Sequence, residues 1–173
     1  MKIMPGINYL NKKKILLRCD FDVPVVGGKI IEKFRIQKQK PVIDFLLKQS
    51  AVMMIAHIKA TKSFKDIIPE IEDLLGHKLE LIDNLGDLGS KVRNLEQGKL
   101  YLLDNIRNWA GEEKNDEWFA KTLSTGFDLY INNAFAVCHR NHASVSAITK
   151  FLPAYSGFLI EEETAQLDKM INI

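Results

Sequence analysis

Short apolar runs alternate with longer amphipathic segments along most of the chain, and this alternation restricts the fold more than any other feature of the sequence. Ala51–Ala56 (AVMMIA) is continuously apolar, as expected of a strand that is buried on both faces of a parallel sheet. The runs of this kind are too short for typical helices, and charged or turn-forming residues flank them. The predicted strands are Lys14–Cys19, Ala51–Ala56, Leu79–Ile82, Lys99–Leu103 and Phe127–Ile131.

The segments between these runs have the apolar spacing of helices that cover a sheet. Gly76 follows one of them directly and is a typical residue just beyond a helix C-terminus. The predicted helices are Glu32–Gln49, Phe64–Leu75, Leu88–Leu95, Asp116–Ser124, His142–Thr149 and Glu161–Ile171. Strands that alternate with helices imply βαβ units. We therefore expect an α/β fold, a Rossmann-like three-layer α/β/α sandwich with a mainly parallel sheet of about six strands. Its central strands should bury Leu16, Val52, Met54, Leu102 and Ile131.

Composition and charge exclude several classes of protein. The 173 residues suit a single domain, and the net charge of +2 is too small to indicate binding to nucleic acid. No apolar run approaches the ~20 residues that span a bilayer, and the first residues lack a signal-peptide pattern. Cys19 and Cys138 show no paired spacing, which favours reduced thiols. We expect a cytoplasmic monomer without nucleic-acid or membrane partners.

Arginine and histidine residues collect where the predicted strands end. Four of the five arginines lie near these ends or near the helix starts that follow: Arg18, Arg35, Arg107 and Arg140. Three of the four histidines lie at the same edge: His57, His139 and His142. Because ligands of open parallel sheets bind beyond the carboxyl ends of the strands, these residues predict a phosphate or carboxylate site. For any single arginine, a surface ion pair is the alternative interpretation. Likewise, the aspartates of RCDFDVP (residues 18–24) could simply cap a turn.

Motifs for other chemistry are missing from the sequence. It contains neither a G-x-x-x-x-G-K-[ST] phosphate loop nor a G-x-G-x-x-G dinucleotide fingerprint, and Gly27-Gly28 predicts only a tight turn. His139 and His142 are three residues apart but lack acidic companions, so no metal site is predicted. The residues alone therefore indicate an anion-binding α/β domain without its own nucleotide site.

Seven motifs, taken in order, resemble the amino-terminal domain of the phosphoglycerate kinase family. Each would be weak alone, but they match in order and spacing across nearly the whole chain. The motifs are RCDFDVP (18–24), Arg35, AHIKA (56–60), LLDNIR (102–107), EEKND (112–116), NNAFAVCHRNHAS (132–144) and FLPAYSGFL (151–159).

The resemblance implies a role for each matching residue. Asp20 matches the aspartate that holds the substrate hydroxyl, and Arg35 matches the arginine that reaches the substrate and the phosphoryl group in transfer. Arg35 is accordingly the predicted catalytic residue. The basic patch that binds the 3-phosphate of 3-phosphoglycerate would consist of His57, Arg107, His139 and Arg140.

Two positions depart from the family pattern. Asp22 stands where the family usually has asparagine, and it adds negative charge beside an anionic substrate, although its position still places it among the predicted substrate-binding residues. The family's His-Leu-Gly-Arg corresponds to His57-Ile58-Lys59-Ala60 here, so Ala60 replaces an arginine of the basic patch. Lys59 is one position early and lacks the forked guanidinium group. We expect these changes to affect substrate affinity more than the fold.

The resemblance also implies how the chain is organised. Residues 1–160 would form the substrate-binding domain, residues 161–173 would begin the connecting helix, and the nucleotide-binding carboxyl-terminal domain would be absent. Mg-ATP or ADP would bind to that second domain, and no cofactor is expected in this chain alone. Three hypotheses follow. The chain could be the 3-phosphoglycerate-binding half of phosphoglycerate kinase, which would be incomplete as a catalyst by itself. Alternatively, it could be a stand-alone anion-binding module or an inactive remnant of the same fold.

Overall fold

The computed structural model describes residues 2–171, which contain nine strands and six α-helices. The strands are β1 (Lys2–Ile3), β2 (Lys14–Arg18), β3 (Val25–Val26), β4 (Lys29–Ile30), β5 (Ala51–Ile55), β6 (Leu79–Ile82), β7 (Leu100–Leu103), β8 (Leu129–Asn132) and β9 (Ala154–Ser156). The helices are α1 (Phe34–Gln37), α2 (Lys40–Leu47), α3 (Ile68–Leu75), α4 (Leu88–Arg93), α5 (Glu117–Ser124) and α6 (Phe158–Ile171).

Seven strands form one fully parallel sheet in the order β1-β9-β8-β2-β5-β7-β6. The remaining two, β3 and β4, form a small antiparallel hairpin. Gly27 and Gly28 turn this hairpin with φ angles of 57° and 75°, a conformation that glycine adopts without a steric penalty. The predicted α/β class and mainly parallel sheet are confirmed. The sheet exceeds the expected six strands because β1 and β9, two and three residues long, pair at one edge and are too short to show a periodic pattern.

Helices cover both faces of this sheet, and each face has its own apolar core. On one face, residues of β2 and β5 such as Leu17 and Met54 pack with α2 and α3. On the other face, Leu16 and Met53 of the same strands pack with α4 and α5. All five residues that were predicted as core are fully buried: Leu16, Val52, Met54, Leu102 and Ile131.

The long helix predicted over Glu32–Gln49 is instead two helices, α1 and α2. Pro41 lies in the first turn of α2, where its missing N–H leaves no hydrogen bond unmade, whereas in the interior of one continuous helix it would break the backbone ladder. The helix predicted over Phe64–Leu75 begins with a 3₁₀ turn, Lys65–Ile67, and ends at Gly76 as expected.

The helix predicted over His142–Thr149 is wrong. This segment forms turns and a short 3₁₀ helix, Ala147–Lys150. Some of its backbone N–H groups bond outside the segment: Ser144 N–H donates to the Glu112 carboxylate, and Ala147 N–H donates to the Asn115 side chain. At these two positions, side chains of a distant loop replace the carbonyl groups of a regular helix, while other N–H groups form turns within the segment.

The last helix, α6, begins at Phe158, three residues before its predicted start, and is held at its first turns. Leu159 N–H donates to the Asn133 side chain at 3.0 Å, and the Glu161 carboxylate accepts hydrogen bonds from Met4 N–H and the Ser156 hydroxyl. The final turn exposes Met170 and Ile171. Residues 172–173, which the predicted connecting segment includes, lie outside the described residues. No helix within residues 2–171 is long and apolar enough to span a membrane.

Candidate functional site

The strands β8, β2, β5 and β7 are neighbours in the sheet, so the loops that follow them meet at one edge. Each of these loops supplies charged or polar residues. The loop after β2 contains Asp20 and Asp22, the residue His57 follows β5, and Arg107 lies in a 3₁₀ turn after β7. Arg140 follows a similar turn after β8. The topology therefore places most of the predicted site residues at the rim of one crevice.

Asp20 and Arg35 form one side of this crevice. Asp20 is nearly buried, and its Oδ2 lies 3.4 Å from Nη1 of Arg35 on helix α1. The Arg35 side chain is about half exposed, since α1 begins beyond the end of the sheet, and Glu32 approaches its Nε at 4.0 Å. An adjoining cleft of about 400 Å³ extends from Asp20 and Arg35 to Asn133 and Glu162, the last of these on α6. Arg35 thus faces open space rather than the protein interior.

Asp22, His57 and Lys59 form a second cluster. Oδ1 of Asp22 accepts a hydrogen bond from the Lys59 backbone N–H at 3.0 Å. Oδ2 of Asp22 lies 3.2 Å from Lys59 Nζ and 3.4 Å from His57 Nε2. Partial burial alone would raise the pKa of the Asp22 carboxyl, but the Lys59 backbone N–H, His57 and the Lys59 side chain together hold that pKa below its usual value.

The fully buried guanidinium group of Arg18 determines the protonation state of His57. Its Nη2 lies 3.0 Å from His57 Nδ1, and a guanidinium group can only donate. Nδ1 therefore accepts, and the proton of the neutral ring resides on Nε2, which lies 3.4 Å from Asp22 Oδ2. Burial, followed by the charge of Arg18, lowers the pKa of His57 to about 3. His57 is thus a neutral N–H donor at physiological pH rather than a cation.

Arg18 belongs to a buried polar network that reaches across the domain. Its Nη1 donates to the Cys19 carbonyl at 2.6 Å, and its Nε donates to the Ser144 hydroxyl at 3.0 Å. Ser144 in turn donates both its hydroxyl and its backbone N–H to the carboxylate of Glu112, which is also fully buried. Tyr130 adds a hydrogen bond from its hydroxyl to the Ser144 carbonyl. The charge of Arg18 is therefore balanced by Glu112 through a shared serine.

Arg107 and Arg140 supply the positive charge on the other side of the crevice. Arg107 is mostly buried, forms an ion pair with Glu113, and lies 3.5 Å from Nδ1 of His142. Arg140 is half-buried, and no acidic oxygen of residues 2–171 lies within ion-pair distance of it. The charges of both arginines add to burial and to the charge of Arg18 in lowering the pKa of His57.

The structure brings six of the seven predicted residues to this edge as a group: Asp20, Asp22, Arg35, His57, Arg107 and Arg140. His139 is exposed, and none of the recorded hydrogen bonds or ion pairs of the described chain joins its side chain to this group. Sequence reasoning counted Arg18 with the arginines of the edge but missed that it is buried. It also assigned no role to Glu112 and Ser144, which belong to two of the motifs but lie far from Arg18 along the chain.

The neutral state of His57 leads to a first prediction. Its ring should remain uncharged from pH 8 to pH 5, whereas in the unfolded chain it should titrate near pH 6.5. The unfolded chain then binds a proton that the folded chain does not, so His57 reduces folding stability as the pH falls from about 6.5 toward about 3. The slope is at most about 1.4 kcal/mol per pH unit for one group. NMR titration of the ring nitrogens measures the protonation, and urea unfolding of the chain and of H57Q at pH 7 and pH 5 measures the linkage. A folded-state pKa near 6.5 would contradict the assigned role of Arg18.

Comparison with known proteins identifies relatives over most of the chain. The family profile for phosphoglycerate kinase matches residues 7–173. A phosphoglycerate kinase of Wolbachia sp. subsp. Drosophila simulans is 38% identical over 174 residues, covering 94% of this chain and 43% of the relative. The phosphoglycerate kinase of Rubrobacter xylanophilus is also 38% identical, over 172 residues, with 94% of this chain and 44% of the relative covered.

Solved structures show the same relationship. The phosphoglycerate kinase of Pyrococcus horikoshii OT3 superposes with a TM-score of 0.85 at 26% identity, covering 92% of this chain and 43% of that protein. The phosphoglycerate kinase of Coxiella burnetii gives a TM-score of 0.81 at 27% identity, with 92% and 42% covered. The chain therefore spans less than half the length of the relatives that it matches.

Proposed function

Since this chain belongs to the phosphoglycerate kinase family, we propose that it forms the half of such an enzyme that binds 3-phosphoglycerate. The observation that carries the proposal is that His57, Arg107 and Arg140 follow β5, β7 and β8, whose carboxyl ends lie at one edge of the sheet within four adjacent strands. Planar guanidinium groups bind phosphate through paired hydrogen bonds, and a neutral imidazole N–H adds a further donor. The crevice would hold the 3-phosphate of the substrate.

The opposite side of the crevice would orient the reacting end of the substrate. Asp20 is nearly buried beside Arg35 and can accept a hydrogen bond from the 2-hydroxyl group. Arg35 faces the adjoining cleft, where it can contact the substrate carboxylate and the phosphoryl group that this carboxylate attacks. The two ends of 3-phosphoglycerate would therefore be fixed by different loops of the same sheet edge.

The substrate carboxylate is the nucleophile in this reaction, and it is already ionised at pH 7 because carboxyl pKa values lie near ~4. No general base is needed, which agrees with a neutral His57 whose Nδ1 is occupied by Arg18. Phosphoryl transfer depends mainly on positioning and on neutralisation of the equatorial oxygens. Mg-ATP supplies the phosphoryl group, and the role of this chain is to align the carboxylate and to place the Arg35 guanidinium beside the developing charge.

We place the nucleotide site in a second domain, because the chain spans about 43% of the length of its relatives. Residues 1–160 would be the substrate-binding domain, and residues 161–173 would begin the connecting helix, although α6 starts at Phe158. By itself the chain would bind substrate without catalysing turnover. Ala60, which replaces a family arginine, is the observation that favours a second candidate function, an anion-binding module or inactive remnant.

Titration calorimetry with 3-phosphoglycerate tests the proposal. We expect weak binding that becomes weaker as salt rises, since exposed charges are screened over about 8 Å at physiological ionic strength. R140Q should weaken binding about 10- to 150-fold, because a charge-assisted hydrogen bond contributes roughly 1.5–3 kcal/mol. R93Q removes the same charge from helix α4, away from the crevice, and should leave binding unchanged. Equal affinity for the chain and R140Q, or no binding at low salt, would contradict the proposed site.

A further inference from the structure

The carboxylate of Asp22 is bound within the crevice in the way that an external anion would be bound. One oxygen accepts the Lys59 backbone N–H at 3.0 Å, and the other lies 3.2 Å from the Lys59 ammonium group and 3.4 Å from the Nε2 of His57. A backbone amide, an ammonium group and an imidazole N–H thus converge on one carboxylate. This set of donors is also suited to the oxygens of a phosphate group.

The protonation state of His57 makes this arrangement specific to anions. Because Arg18 donates to Nδ1, the proton on Nε2 points toward Asp22 and the crevice. Nε2 is buried and, despite the nearby carboxylate, has no hydrogen-bond partner within the described chain. The ring therefore retains an unused donor, oriented toward the place where Asp22 and an incoming phosphate would meet.

The loop that contains Asp22 does not depend on the Asp22 carboxylate for its backbone conformation. Its backbone N–H donates to Asp20, and the neighbouring Val23 N–H bonds to the Phe21 carbonyl, so the loop has backbone contacts of its own. The recorded contacts of the Asp22 side chain are with His57 and Lys59. An asparagine could keep the bond from Lys59 N–H, since its side-chain oxygen accepts in the same position, but it would carry no charge.

We propose that Asp22 is an internal competitor for the phosphate site, an attached carboxylate that pairs with Lys59 and lies 3.4 Å from His57 Nε2 until the phosphate group of the substrate displaces it. This inference rests on the proposed function and adds one residue that determines the affinity of the site for its ligand. Lys59 is affected most, because it directly precedes Ala60, which replaces the family's arginine, and its ammonium group is already paired with Asp22. The negative charge of Asp22 then repels the negative charge of the incoming ligand at a distance of a few ångströms.

The test compares the chain with D22N and with D83N by titration calorimetry, using 3-phosphoglycerate and, separately, inorganic phosphate. Asp83 is exposed and follows β6 at the same edge of the sheet. The substitution D83N therefore removes the same unit of charge as D22N, but outside the crevice. We expect D22N to bind both ligands about tenfold more tightly, because a like charge beside a bound anion is removed. D83N should match the unsubstituted chain. Urea unfolding of all three proteins confirms that each is folded.

The possible outcomes separate this inference from the proposed function. If the chain and D22N bind 3-phosphoglycerate with equal affinity, Asp22 does not compete and only the inference is overturned. If D22N binds both ligands more tightly but 3-phosphoglycerate no better than phosphate, the competitor is supported and the proposed substrate is wrong. Weaker binding by D22N would show that Asp22 orients Lys59 for the ligand, which also overturns the inference. The absence of any anion binding in both proteins would overturn both statements.

Discussion

The substitution R35A should lower the turnover number about 10²–10³-fold while changing the affinity for 3-phosphoglycerate much less. The Arg35 guanidinium would act on charge that develops only in the transition state, and the loss of one such preorganised donor has an effect of this size. Its half-exposed side chain at the start of α1 contributes little to folding, so the free energy of unfolding should change by less than about 1 kcal/mol.

The measurement requires a complete enzyme, obtained by adding the remaining part of a phosphoglycerate kinase relative to this chain. Coupled assays of this mixture give the turnover number and KM, and urea unfolding of the isolated chain gives stability. The matched control is K33A, which removes an exposed cation two residues away from the crevice-facing arginine. An unchanged turnover number for R35A would remove Arg35 from the catalytic residues. A parallel loss in K33A would attribute the effect to the general charge of this loop.

The substitution R18M should reduce the free energy of unfolding by about 3–5 kcal/mol, which is typical when the loss of one charge leaves an opposite charge buried without compensation. It leaves the Glu112 carboxylate buried without its counter-charge and deprives the Cys19 carbonyl, Ser144 and His57 of a donor. Since small domains are stable by only about 5–15 kcal/mol, this is a large share of the total.

Urea unfolding of R18M, E112Q and the double variant measures the effect and its coupling. The double variant should lose less stability than the sum of the two single variants, because each single substitution leaves the other charge unbalanced. R93M, at an exposed arginine on α4, should change stability by no more than about 0.5 kcal/mol. A loss below about 1 kcal/mol in R18M, or strict additivity in the double variant, would show that the network does not act as a unit.

Several residues of the candidate site could be predicted from the sequence because they come just after a predicted strand. A parallel sheet brings the ends of its strands to one edge, so a charged residue just after an apolar run can be assigned to that edge without coordinates. This reasoning locates Asp20, His57 and Arg107. It does not determine which groups face the crevice, because Arg18 also ends a strand and yet is fully buried.

By itself, the sequence determined the α/β class, the central strands and their buried residues, because these depend on local apolar periodicity. Only the tertiary structure decided features that join distant segments. Glu161 accepts a hydrogen bond from Met4, which is 157 positions away, and Arg18 donates to Ser144 across 126 positions. The irregular course of 142–149 has the same origin, since the backbone N–H groups of Ser144 and Ala147 donate to the side chains of Glu112 and Asn115. Periodicity describes one segment at a time, whereas the burial of Arg18 and the protonation of His57 depend on where separate segments meet.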